Sequence, residues 1–83
     1  QGRVFYLRGY ISSLEGAPGQ AVRFSREAVT LDPDLTAAYL NLANALAALG
    51  RLDEADSVLA GAAQHLPDDP QIRQLRQLIQ QAK

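Results

Sequence analysis

The chain has 83 residues, room for one small domain, and a formal net charge of −1, which argues against a nucleic-acid surface with its usual basic excess. Fourteen alanines and thirteen leucines, against three Tyr and two Phe, suit close-packed helices better than a sheet. The absence of Cys excludes disulfides and thiolate metal sites, and there is no run of about 18 apolar residues to insert into a membrane.

Five helical segments are predicted in chain order. Gln1 to Glu15 is the first, with Gly9 inside it at about 1 kcal/mol relative to Ala. A glycine there makes sense where a neighbouring backbone packs closely. Gly16-Ala17-Pro18-Gly19 is a turn, and Pro18 suits the first turn of the next helix. Gln20 to Leu31 is the second helix, with Ala21, Phe24, Ala28 and Leu31 as its apolar face. Asp32-Pro33-Asp34 breaks the pattern, and Asp34 is the expected N-cap of the third helix. From Thr36 to Pro67 two apolar series flank Gly50-Arg51: Tyr39, Leu42, Ala43, Leu46, Leu49, then Leu52, Ala55, Leu59, Ala62, Leu66. Steps of three and four put each series on one helical face. A turn this short lays the two helices antiparallel. Asp53 and Glu54 complement the dipole in the fourth helix's first turn. Asp69 is the expected N-cap of the fifth helix, Pro70 its first residue and Ala82 its end. Its one narrow stripe is Ile72, Leu75, Ile79 and Ala82; the rest is Gln and Arg.

The first hairpin overlays the second without gaps at an offset of 34 residues. Gly16 falls on Gly50, Ala21 on Ala55, Ala28 on Ala62, Pro33 on Pro67, Phe5 on Tyr39 and Gly9 on Ala43. A second register, with one extra residue in the first turn, lays Val4, Leu7, Ile11 and Leu14 over Tyr39, Leu42, Leu46 and Leu49 but loses Gly9 as the small residue. The gapless register is preferred because it aligns both glycines. Within it, Tyr39-x2-Leu42-Ala43-x2-Leu46, Ala55-x3-Leu59 and Pro67 together resemble a tetratricopeptide repeat. The first copy departs from that pattern at Arg8, Ser12 and Ser25. The resemblance implies an all-α, right-handed solenoid fragment: two antiparallel helix-turn-helix units, residues 1–34 and 35–69, and a C-terminal capping helix, residues 70–83. A truncated third repeat is the alternative for that last segment. A chain that begins with Gln1 rather than Met points to an excerpt of a longer protein or a processed product. The Arg, Ala and Leu bias hints at a GC-rich bacterial source. The compartment stays open, with the cytoplasm as default and the periplasm as alternative.

No catalytic group emerges. His65 is the single histidine, at a helix end, and a lone His with no Cys makes no metal cluster. The serines have no base near them in sequence, and nucleophilic serine needs an oriented base and oxyanion donors. Asp32, Asp34, Asp68 and Asp69 sit at helix junctions, where capping explains them. No cofactor is expected, and the segment itself is read as non-enzymatic.

The resemblance instead implies a concave groove lined by the first helix of each repeat, which takes a peptide or a partner helix. In the gapless register the first helix shows Arg3, Tyr6, Tyr10 and Ser13 to that groove. The third helix shows Ala37, Leu40, Asn44 and Ala47, and the fifth Gln71, Gln74 and Leu78. Tyr6 and Tyr10, one turn apart, offer apolar area with hydroxyls for orientation. Asn44 can both donate to and accept from a peptide backbone. Some family members clamp acidic chaperone tails with Lys, Asn and Arg. Asn41 matches one clamp amide here, but the cations are missing, so no such activity is expected. The leading function is therefore a protein-interaction scaffold with a protein or peptide partner. The alternatives are self-association through the N-terminal helix, where Phe5, Tyr6 and Leu7 lack a cap that an upstream repeat would supply, and a substrate-presenting segment of a larger enzyme.

Overall fold

The computed structural model describes all 83 residues as five helices and no strand. They are α1 (Gly2–Leu14), α2 (Pro18–Leu31), α3 (Thr36–Ala48), α4 (Leu52–His65) and α5 (Pro70–Ala82). The molecule measures 27 × 25 × 15 Å.

Both hairpin turns use the same device. Gly16 and Gly50 adopt positive φ, +75° and +78°, which an L side chain resists. Around Gly16, Ala17 N–H donates to the Ser12 carbonyl at 2.8 Å and Gly16 N–H to the Ser13 carbonyl at 3.1 Å. Around Gly50, Arg51 donates to Leu46 and Gly50 to Ala47, each at 2.9 Å. These are paired Schellman bonds, and they satisfy carbonyls that the helix ends would otherwise leave open. Their recurrence at the 34-residue offset supports the gapless register.

The helix starts differ. Asp69 caps α5 as expected: its Oδ1 accepts from the Gln71 and Ile72 N–H groups, and Pro70 occupies the first helical position. Asp34 does not cap α3. The N-cap there is Leu35, which offers no side-chain acceptor, and the Asp34 carboxylate turns to His65 Nε2 at 2.8 Å. The repeat offset explains this correction, because Leu35 and not Asp34 is the counterpart of Asp69. Helix α2 begins two residues earlier than expected, at Pro18 itself.

The apolar core lies between α2, α3, α4 and α5. Leu42, Leu46, Leu59 and Ile72 are its largest fully buried side chains, with Ala21, Ala43, Ala55 and Ala62 closing the gaps. No α1 side chain belongs to that cluster. Helix α1 buries Gly2, Gly9 and Ser12, with Phe5 half-buried against Phe24 at 6.4 Å. Two expected core positions are also corrected. Leu31 and Leu49 are 43% and 40% exposed, at the last residue of α2 and the C-cap of α3. The stripe Val4, Leu7, Ile11 and Leu14 faces outward, so the second register does not describe the structure.

Candidate functional site

Helices α1, α3 and α5 stand side by side: the α3 backbone approaches both α1 and α5, whereas the backbones of α2 and α4 stay apart. Small residues allow that approach. Ala38 and Ala45 of α3 are buried, and a Cβ on Gly9 would lie 2.8 Å from Ser25 Oγ and 3.1 Å from Asn41 Nδ2. One row of helices is close and the other splayed, so the α1–α3–α5 side is concave. On the other side the α2–α4 gap is bridged at the surface by Arg26 and Glu54, 3.2 Å apart.

The concave side holds a depression of about 320 Å³ lined by Tyr6, Tyr10, Ala37, Leu40, Asn41, Asn44 and Gln71. Tyr6 and Tyr10 are tilted 31° to one another with ring centroids 6.3 Å apart, close enough to form one aromatic wall. Their hydroxyls make no hydrogen bond within the chain, unlike that of Tyr39, which donates to the Pro33 carbonyl at 2.8 Å. Asn44 and Gln71 are exposed, with side-chain amides free to pair. Leu40, half-buried between them, forms the floor with Ala37.

Asn41 is the residue that helical spacing alone left off the groove face. It sits between core and groove, where its Nδ2 donates to Ser25 Oγ at 3.1 Å and its Oδ1 accepts from Ser13 Oγ at 3.4 Å. Its amide therefore ties α3 to α1 and α2 while its edge reaches the depression. Five expected groove residues, Arg3, Ser13, Ala47, Gln74 and Leu78, lie outside it. Arg3 is exposed but outside the lining, and Ser13 reaches it only through Asn41. Gln74 lines a separate shallow site on α5 with Gln77, Leu78 and Gln81. Ala47 also lies outside the depression.

No charged side chain lines this depression. Asp69, two residues before Gln71, is fully engaged. Besides capping α5, its Oδ2 accepts from Thr36 Oγ1 at 2.6 Å. That bond does most to hold the Asp69 carboxyl below the usual carboxylate range. Burial opposes it, and the Ile72 and Gln71 N–H groups and the Arg73 charge reinforce it. A cluster of charges lies between α4 and α5, where Asp56 takes Arg76 at 3.1 Å and Lys83 at 3.4 Å, and Lys83 reaches Asp53 at 3.0 Å. An uncharged, amide-edged aromatic depression suits the peptide backbone and apolar side chains of a ligand.

The sequence matches the family model for the tetratricopeptide repeat over residues 14–79, from the end of α1 into the last turn of α5. No curated protein matches the chain.

Proposed function

We propose, from the premise that this chain belongs to the tetratricopeptide repeat family, that its concave face binds an extended peptide or a partner helix. The family's repeats mediate protein–protein interaction, so the partner is a protein. The observation that carries the finer reading is the convergence of Tyr6, Tyr10, Leu40, Asn44 and Gln71 from three helices on one uncharged depression. The tyrosines supply rigid contact area with free hydroxyls. The amides of Asn44 and Gln71 would pair with a ligand's backbone, and Leu40 would receive an apolar side chain. No catalytic step is assigned to these residues.

A peptide-library selection against the wild-type chain, repeated on a Tyr6→Ala/Tyr10→Ala variant, tests this. Selected peptides should bind the variant at least tenfold more weakly, the loss of about 1.4 kcal/mol or more that truncating an aromatic anchor brings. Equal binding to both proteins would remove the groove from the reading. An acidic C-terminal tail peptide should not bind at micromolar affinity even at low salt, because no cation lines the depression.

A further inference from the structure

The depression between α1, α3 and α5 constrains what can lie in it. Tyr6 and Tyr10 enter from α1, Asn44 from α3 and Gln71 from α5, and the only aliphatic side chains are Ala37 and Leu40. All its walls are helices. Helix carbonyls are taken by the helix's own N–H groups, so these walls offer a ligand no backbone acceptor. Addition of a β-strand needs an unpaired backbone edge, which a helix lacks. A partner helix needs a broad aliphatic groove for its anchors, and one Leu with one Ala does not make one. A charged tail finds no counter-charge. An uncharged extended segment remains.

Hydrogen bonding narrows that segment further. An ordinary extended chain brings an N–H with every residue. Those turned to the floor meet Leu40 and Ala37, whose side chains accept nothing. Asn41, the other amide in the lining, is already tied to Ser25 and Ser13. A buried N–H without a partner is rarer in proteins than an under-satisfied carbonyl. Proline brings no N–H. Its carbonyls remain, and the lining supplies donors for them: the free hydroxyls of Tyr6 and Tyr10 and the exposed amides of Asn44 and Gln71. Proline rings also pack on aromatic faces, and Tyr6 and Tyr10 form a wall of two, 6.3 Å apart. Entropy acts in the same direction. A proline-rich segment is stiff in the polyproline II form before it binds, so a depression of only about 320 Å³ has little ordering to offset.

We propose that this depression takes an uncharged, proline-rich segment of a protein partner in the polyproline II conformation. Its rings lie against Tyr6, Tyr10 and Leu40, and its carbonyls accept from the tyrosine hydroxyls and the Asn44 and Gln71 amides. Such a ligand deepens the groove reading and rests on it.

Fluorescence anisotropy of a decaproline, labelled at one end and amidated at the other, tests this on the 83-residue chain up to millimolar concentration. Ten such residues extend about 31 Å and cover the depression in any direction. Decaproline should bind at least tenfold more tightly than an uncharged Ala/Gln peptide of the same length. Tyr6→Ala/Tyr10→Ala should weaken it at least tenfold. Tyr6→Phe/Tyr10→Phe keeps the rings and the fold, and should weaken it several-fold by removing two donors. Asn44 is exposed, so Asn44→Ala also keeps the fold and should weaken it several-fold. Absence of decaproline binding, or binding no tighter than that of the Ala/Gln peptide, overturns the proline assignment. The groove itself then stands if library-selected peptides still lose affinity on Tyr6→Ala/Tyr10→Ala, and falls too if they do not. Decaproline binding that is indifferent to the tyrosine changes places its site elsewhere and overturns the proposal.

Discussion

Gly9 is where two opposing effects on one residue can be separated. Glycine inside a helix is disfavoured by about 1 kcal/mol relative to Ala, so Gly9→Ala gains on propensity. The added Cβ, however, would lie 2.8 Å from Ser25 Oγ, 3.1 Å from Asn41 Nδ2 and 3.3 Å from the Ala21 carbonyl. Ser25 can give way only by losing its bond from Asn41. Leaving part of a buried pair unmade costs about 1–3 kcal/mol, and the Ala21 backbone cannot give way. The clash therefore wins, and Gly9→Ala should destabilise by about 1–2 kcal/mol. Gly61, in α4, meets nothing within 4 Å of an added Cβ. Gly61→Ala should stabilise by about 0.5–1 kcal/mol. Urea denaturation of the two variants beside the wild type reads both signs. A stabilising Gly9→Ala would show that α1 does not approach α2 and α3 this closely.

At the scale of a helix, α5 is held at both ends by polar anchors, and they titrate. The Thr36 hydroxyl lowers the Asp69 pKa below the usual 3.8, and the Arg76 hydrogen bond does the same for Asp56. The unfolded chain takes up these protons first as pH falls, so the stabilisation is complete above about pH 4 and is lost progressively below it. Lys83 is shifted the other way: the Asp53 carboxylate raises its pKa above 10.5, and its share is lost only as pH rises through that raised value. Asp69→Asn keeps an acceptor for the Gln71 and Ile72 N–H groups but carries no charge. Its urea midpoint should fall less steeply below pH 4 than the wild type's, and Lys83→Gln should flatten the alkaline limb above 10.5 and, by removing a charge that lowers the Asp56 pKa, soften the acid limb as well. An unchanged acid limb in Asp69→Asn would mean the carboxylate is not held by Thr36. The sequence displayed this cap plainly, since Asp69 and Pro70 stand in cap and first-turn order. The start of α3 was less legible, because Asp34 has the right chemistry one residue too early. The orientation of α1 was hidden from periodicity altogether. Its aliphatic stripe reads as a core face, and only the alignment of Gly9 with Ala43 indicates that the helix turns its small residues inward.

Across the whole molecule, burial is distributed unevenly. The groove was legible as a face on each helix, but its extent depends on how far the helices shift past one another, which no single-helix spacing encodes. Asn41 therefore joins the lining while Gln74 falls outside it. The same unevenness governs local stability. Helices α3 and α4 sit between neighbours and contribute Leu42, Leu46 and Leu59 to the core, whereas α1 contributes no side chain to the apolar cluster. In a stack of repeats each unit is held by its own fold and by its contacts with adjacent units. Helix α1 has a partner on one side only, and the contacts there are glycine, serine and one Phe pair. Local opening exposes little apolar surface when such a helix detaches, so it should open at low free energy. Native-state hydrogen exchange of the dilute chain should find the α1 amides least protected and those of α3 and α4 most protected. Equal protection of α1 and α3 would mean that the first hairpin is bound to the rest more tightly than its small contact residues allow.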